Sequence, residues 1–137
     1  MKTKITFFTI LLVAVIGSSC ASRRSATIAA SSLIGTWELV PVEGVVPSGT
    51  LSRKIINDTH FITTTYTRNG QVVRTTHGGT YTLNGNVYVE NVEFSSRQGM
   101  ANTTSIFVLE MRGDRKYISG TFADGRGTLN EVWRRVH

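Results

Sequence analysis

The sequence predicts an all-β fold, an antiparallel up-and-down β-barrel of about 8–10 strands, preceded by a signal peptide. Three observations lead there. From Leu33 to His137, Thr, Val, Ile, Tyr and Phe dominate short runs punctuated by glycine. No window of that stretch carries a helical period. Consecutive runs are joined by hairpin signals at Asn69-Gly70, Asn84-Gly85 and Gly113-Asp114.

The N-terminus comes first. Lys2 and Lys4 precede an apolar run, Ile5 to Ile16, of 12 residues. A spanning helix needs about 20 residues, whereas a signal core needs about 7 to 15. Gly17, Ser18 and Ser19 are small enough for a signal peptidase and lead into Cys20. One cysteine cannot form an internal disulfide in an exported chain. This order therefore reads as a bacterial lipoprotein signal, with lipidation at Cys20 as the membrane anchor. Ala21 carries no acidic retention signal, which points to the outer membrane of the cell envelope. The organisation expected is 1–19 signal peptide, 20–32 lipidated cysteine and flexible tether, and 33–137 barrel. The tether is small and polar, with one basic pair, Arg23-Arg24.

Removing residues 1–19 takes away two lysines and no acid, so the net charge falls from +6 to +4. The remaining basic residues are scattered through turns and form no stripe with aromatics, which argues against a nucleic-acid partner. The 105 residues from Leu33 suffice for one domain with one core.

Candidate strands fall at about 36–42, 52–56, 59–67, 71–77, 79–83, 86–94, 102–111, 115–122 and 127–136. The turns set their facing. With Asn69-Gly70 as a two-residue loop, Tyr66 opposes Val73, and His60, Ile62 and His77 share that side. Thr63, Thr65, Thr67, Arg74 and Thr76 would then see water, a division that Phe61 breaks. With Asn84-Gly85 as the loop, Tyr81 opposes Tyr88, and Tyr81, Leu83, Tyr88 and Glu90 share a face. With Gly113-Asp114, Met111 opposes Lys116, Leu109 opposes Ile118 and Phe107 opposes Gly120, which makes an apolar inner face. In the last strand Leu129, Glu131, Trp133 and Arg135 alternate inward. Glu131 and Arg135 stand about 13 Å apart at ~3.3 Å per residue, so each needs a partner on another strand. The proposed outer faces carry Thr, Arg and Asn, unlike the apolar band of a membrane-spanning barrel.

Gly35-Thr36-Trp37 resembles the G-x-W signature of the lipocalin and fatty-acid-binding-protein superfamily, and Glu131-Val132-Trp133-Arg134-Arg135-Val136 resembles its closing strand. With Gly78-Gly79-Thr80-Tyr81 and Tyr88-Val89-Glu90, residues 33–137 resemble small lipocalin-like domains of unknown function in bacterial secreted lipoproteins. The resemblance implies a barrel floor made by Trp37 with a basic side chain across it, Arg135 by alternation and Arg134 otherwise. It carries over no ligand, since the chain ends at the last strand and has only Glu43 to Ser52, with Pro47 and Gly49, where a helical lid would stand.

Glu90 and Glu131, if inward, are costly unless paired. Together with Tyr66, Tyr81, Tyr88 and Arg135 they make the expected wall of a small-molecule site, with Trp37 at its floor. The partner expected is an unidentified small apolar or amphipathic molecule held by a membrane-anchored protein. The other classes are an envelope interaction protein with a filled barrel and an enzyme using interior Glu, Tyr and Arg groups. His60, His77 and His137 lack carboxylate or thiol companions for a metal, no cofactor motif is present, and no G-x-S-x-G frame appears, so no catalytic residue is assigned.

Overall fold

The computed structural model describes residues 27–41, 49–122 and 127–136. The signal segment, Cys20, Arg23, Arg24 and His137 lie outside the described residues. Eight antiparallel strands follow one another in chain order: β1 (Gly35–Leu39), β2 (Thr50–Ile56), β3 (His60–Thr67), β4 (Val73–Asn84), β5 (Val87–Ser95), β6 (Thr103–Arg112), β7 (Arg115–Thr121) and β8 (Thr128–Val136). Each pairs with its neighbour in sequence, and β1 pairs with β8 to close the barrel. Closure leaves no edge strand to template aggregation.

The nine candidate runs become eight strands because 71–77 and 79–83 are one. β4 runs straight through Gly78-Gly79, where its register against β5 shifts in a bulge. A Cβ on Gly79 would lie 2.0 Å from the Asn91 carbonyl oxygen, and one on Gly78 2.6 Å from that of Phe61. The glycine pair therefore marks a close approach of backbones and not a strand end.

The turns decide the facing. Gly113-Asp114 gives the expected register, Met111 with Lys116 through Phe107 with Gly120. Gly113 takes φ 59° and Asp114 stays negative, as a type II′ turn requires. At the next hairpin the loop is Gly85-Asn86, so Tyr81 pairs with Glu90 and not with Tyr88. The slip is one residue on each strand, which preserves parity, and Tyr81, Tyr88 and Glu90 share the inner face as expected.

The β3–β4 hairpin is where the expected facing fails. Tyr66 does pair with Val73, but the register then shifts and Thr65 pairs with Thr75. The extra residue, Arg74, flips everything beyond it, so His77 joins Thr63. The inner face is Phe61, Thr63 and Thr65, while Ile62 and His60 point out. Phe61, the residue that broke the sequence pattern, was reporting the true inner side.

The barrel floor lies at the end of the β2–β3, β4–β5 and β6–β7 turns. Trp37 is fully buried there and donates from Nε1 to the Leu33 carbonyl at 2.8 Å. The Arg135 guanidinium lies 4.3 Å from the Trp37 ring centroid and donates to the Ile34 and Ser32 carbonyls, each at 2.6 Å. This explains the glycine of the G-x-W signature. Gly35 takes φ 136°, and a Cβ there would stand 2.5 Å from Arg135 Nη1. Residues 30–32, placed in the tether by sequence, form a short 3-10 turn against this floor. Ile28 donates its amide to the Gly85 carbonyl at 3.0 Å and packs on the core.

The outer wall is less polar than expected, with Ile55 opposite Ile62 and Val87 opposite Val108, all exposed. Glu38 on that wall faces Arg53 at 3.5 Å and Arg134 at 3.4 Å. Such a charged cluster does not suit a lipid-facing surface.

Candidate functional site

Above the floor, the inner wall encloses a cavity of about 190 Å³. It extends from mid-barrel toward the end where the β3–β4 and β5–β6 loops lie, and its two sides differ in chemistry. One side is built from two rungs of side chains across β2, β3 and β4. Ser52, Thr65 and Thr75 stand opposite one another in one rung, and Lys54, Thr63 and His77 in the next. The other side is mainly apolar, with Phe107, Phe122, Leu129 and Trp133 from β6 to β8, and carries Ser105 and Glu131 among them. Phe107 and Phe122 meet edge to face at 5.9 Å and 89°.

An ion pair lies at the inner end. Lys54 Nζ donates to Glu90 Oε1 at 2.5 Å, with the two side chains 5% and 6% exposed. The Lys54 ammonium also stands 5.1 Å from the Phe61 ring centroid, 5.4 Å from Trp133 and 5.8 Å from Tyr88. These rings supply cation–π stabilisation where water is excluded. Glu131 accepts a hydrogen bond from Trp133 Nε1 at 2.8 Å. Burial pushes its carboxyl above the ordinary range, against the pull of Lys54.

His77 has the opposite perturbation. Burial first, then the Lys54 charge, lowers it to about 4, with Arg97 acting in the same direction and Glu90 against. At neutral pH it is an uncharged imidazole with one donor and one acceptor nitrogen. Beside it, the buried Thr63 Oγ1 has no hydrogen-bond partner among the described residues. Ser52 and Thr65, in the neighbouring rung, satisfy each other at 2.7 Å.

Below the cavity, Lys116 is 1% exposed, with Nζ 4.6 Å from the Trp37 ring and 5.8 Å from Trp133. It has no hydrogen-bond partner among the described residues. Burial, then the charge of Lys54, pushes it toward the neutral amine. Arg135, Trp37, Lys116, Trp133 and Lys54 thus form a column in which basic side chains alternate with indoles.

Of the residues expected to contact a ligand, Glu90 and Glu131 line the cavity. Tyr81 and Tyr88 are inside but lie in the core under it, their rings 5.4 Å apart. Tyr81 donates to the Asn57 carbonyl at 2.8 Å, and burial followed by the Glu90 charge keeps the Tyr88 hydroxyl protonated. Arg135 and Trp37 belong to the floor. Tyr66, expected inside, is a correction: it lies on the outer wall with Arg53 at 6.0 Å from its ring, because inward positions in β3 are the odd-numbered ones. His60 and His77 do not share a face; His60 is exposed and bonded to Thr59 Oγ1 at 2.7 Å. Among the described residues no three His, Cys, Asp or Glu side chains gather for a metal.

Lys54, Thr63 and Lys116 were missed by sequence reasoning. Lys116 had a signal, since its hairpin partner Met111 was already assigned to the inner face. Lys54 had one too, because it alternates inward with Ser52 and Ile56 on a strand whose other face carries Arg53 and Ile55.

The sequence model of a family described as a domain of unknown function (DUF4488) matches residues 32–137. No curated protein matches the chain.

Proposed function

Because the chain belongs to this family of unknown function, its role has to be read from the barrel, and we propose that it is an envelope binding protein holding a small amphipathic molecule. The observation that carries the reading is the two-sided cavity of about 190 Å³ ending on the buried Lys54–Glu90 pair. Small-molecule sites combine apolar walls with a few placed polar groups, as here. The volume bounds the ligand: an apolar cavity of about 150 Å³ holds benzene, so this one suits a molecule of roughly ring size and not a long acyl chain. The signal grammar and Cys20 support anchoring of the barrel to a membrane by a lipid.

A thermal-shift screen of small organic molecules, run on the barrel and on a Thr75→Phe variant, tests the binding function. A ligand at about a hundred times its Kd stabilises by ~2.7 kcal/mol. Binders should stabilise the parent and lose that effect when the new ring fills the cavity. Equal stabilisation of both proteins by every binder would place binding elsewhere and end this reading.

A further inference from the structure

We propose that the molecule held in the cavity is a single-ring aromatic carboxylate, its ring on the Phe107–Phe122 side and its carboxylate on the Thr63–His77 rung. This assignment rests on the binding function above and names the class of ligand.

The polar side tells what charge is wanted. Lys54 is committed to Glu90, and Glu131 accepts the Trp133 indole N–H. Each of these two acids is thus held through one oxygen by a partner of its own. What remains is donor capacity. Thr63 is 7% exposed and lines the cavity with an unpartnered hydroxyl. Its cross-strand neighbour His77 also lines it and has a ring N–H to give. Arg97 lines the cavity as well, and among the described residues no acidic side chain pairs with it. The charges acting on His77 are Lys54 and Arg97 against Glu90 alone, so the rung sits in a positive field. A carboxylate accepting from Thr63 and His77 satisfies the buried hydroxyl and uses that field.

The opposite side tells what carries the carboxylate. Phe107 and Phe122 are set edge to face, with the Trp133 and Leu129 side chains on the same wall. Such a wall takes a flat ring by stacking or edge contact. The volume leaves room for one ring with its carboxylate and not for two fused rings carrying substituents.

Calorimetric titration of the barrel with benzoate, benzamide, cyclohexanecarboxylate and hexanoate tests this. Benzoate should bind at least tenfold tighter than the isosteric neutral benzamide, since hydrogen bonds to a charged group carry that discrimination. It should also bind more tightly than the two non-aromatic acids. Thr63→Val should weaken benzoate about tenfold while leaving the melting temperature unchanged or higher, because it removes an unsatisfied buried hydroxyl. Benzoate binding below neutral pH should take up protons at His77, and His77→Gln should reduce the uptake to the share drawn by Glu131, whose carboxyl burial already raises. Equal affinity for benzamide, or for hexanoate, would overturn the assignment, as would a Thr63→Val variant with parental benzoate affinity. If the screen finds Thr75→Phe-sensitive binders and none is an aromatic acid, the ligand class falls and the binding function stands.

Discussion

Replacing Glu90 with Gln, Lys54 with Met, and both together isolates the pair on which the inner end of the cavity is built. Each single change leaves one buried ion without its counter-ion, and breaking a buried pair costs about 3–5 kcal/mol. Glu90→Gln should fall at the low end, about 3 kcal/mol, because the amide oxygen still accepts from Lys54 and three rings remain around the ammonium. Lys54→Met should fall nearer 4 kcal/mol, since it strands a carboxylate that is 5% exposed. The double variant removes both ions and should lose less than the sum of the singles by about 2 kcal/mol or more. In a domain of this size, 1 kcal/mol moves the melting temperature by about 4–8 °C, so the singles should melt ~12–30 °C lower. Urea denaturation at pH 7, with the slopes compared among the four proteins, gives the cycle. Single losses under about 1 kcal/mol with no coupling would refute the claim that the two charges are buried together.

The remaining expectations concern the floor, pH and the anchor. Trp37→Ala should cost about 3–5 kcal/mol and Arg135→Ala less, with non-additivity in the double variant because the two stack at 4.3 Å; denaturation shows it. His77 is lowered from 6.5 to about 4 by folding, so its neutral form stabilises the barrel fully above pH 6.5, and this is lost as pH falls toward 4, by roughly 2–3 kcal/mol. Glu131, raised by burial, works in the opposite sense, weakening the barrel as pH rises through its folded value, so the parent profile is a net of the two. The His77→Gln variant should therefore lose the acid-side slope between pH 6.5 and 4 in a stability profile. Cys20→Ala should move the full-length protein out of the membrane fraction and abolish incorporation of a fatty-acid probe; unchanged labelling would exclude lipidation at that residue.

How much the sequence revealed depended on parity. The Gly113-Asp114 hairpin set the register of β6 and β7 outright, because a II′ turn with glycine first admits one pairing. The slip at Gly85-Asn86 did no harm, since moving one residue on each strand keeps every side chain on its face. The facing of β3 had been read backwards, and the unpaired residue Arg74 offset that error on β4, so His77 stands inside as expected while His60, Ile62 and Tyr66 stand outside. Bulges of this kind leave little trace in composition. The Trp37–Arg135 floor was legible from two short motifs and alternation. The polar side of the cavity was not, because Thr63 and Thr65 look like solvent-facing strand residues until the closed barrel turns them inward. Lys54 and Lys116 were passed over despite their inward alternation, since long cations are expected in water unless a partner is known.

Native mass spectrometry of the barrel purified from the cells that make it, beside the Thr75→Phe variant, addresses the cavity most directly. The parent should carry a non-covalent adduct of small-molecule mass that is released by mild activation and is missing from the variant. A parent without adduct, which also gains no bound mass from the low-molecular-weight fraction of those cells, would contradict the claim that this barrel is built to hold a ligand.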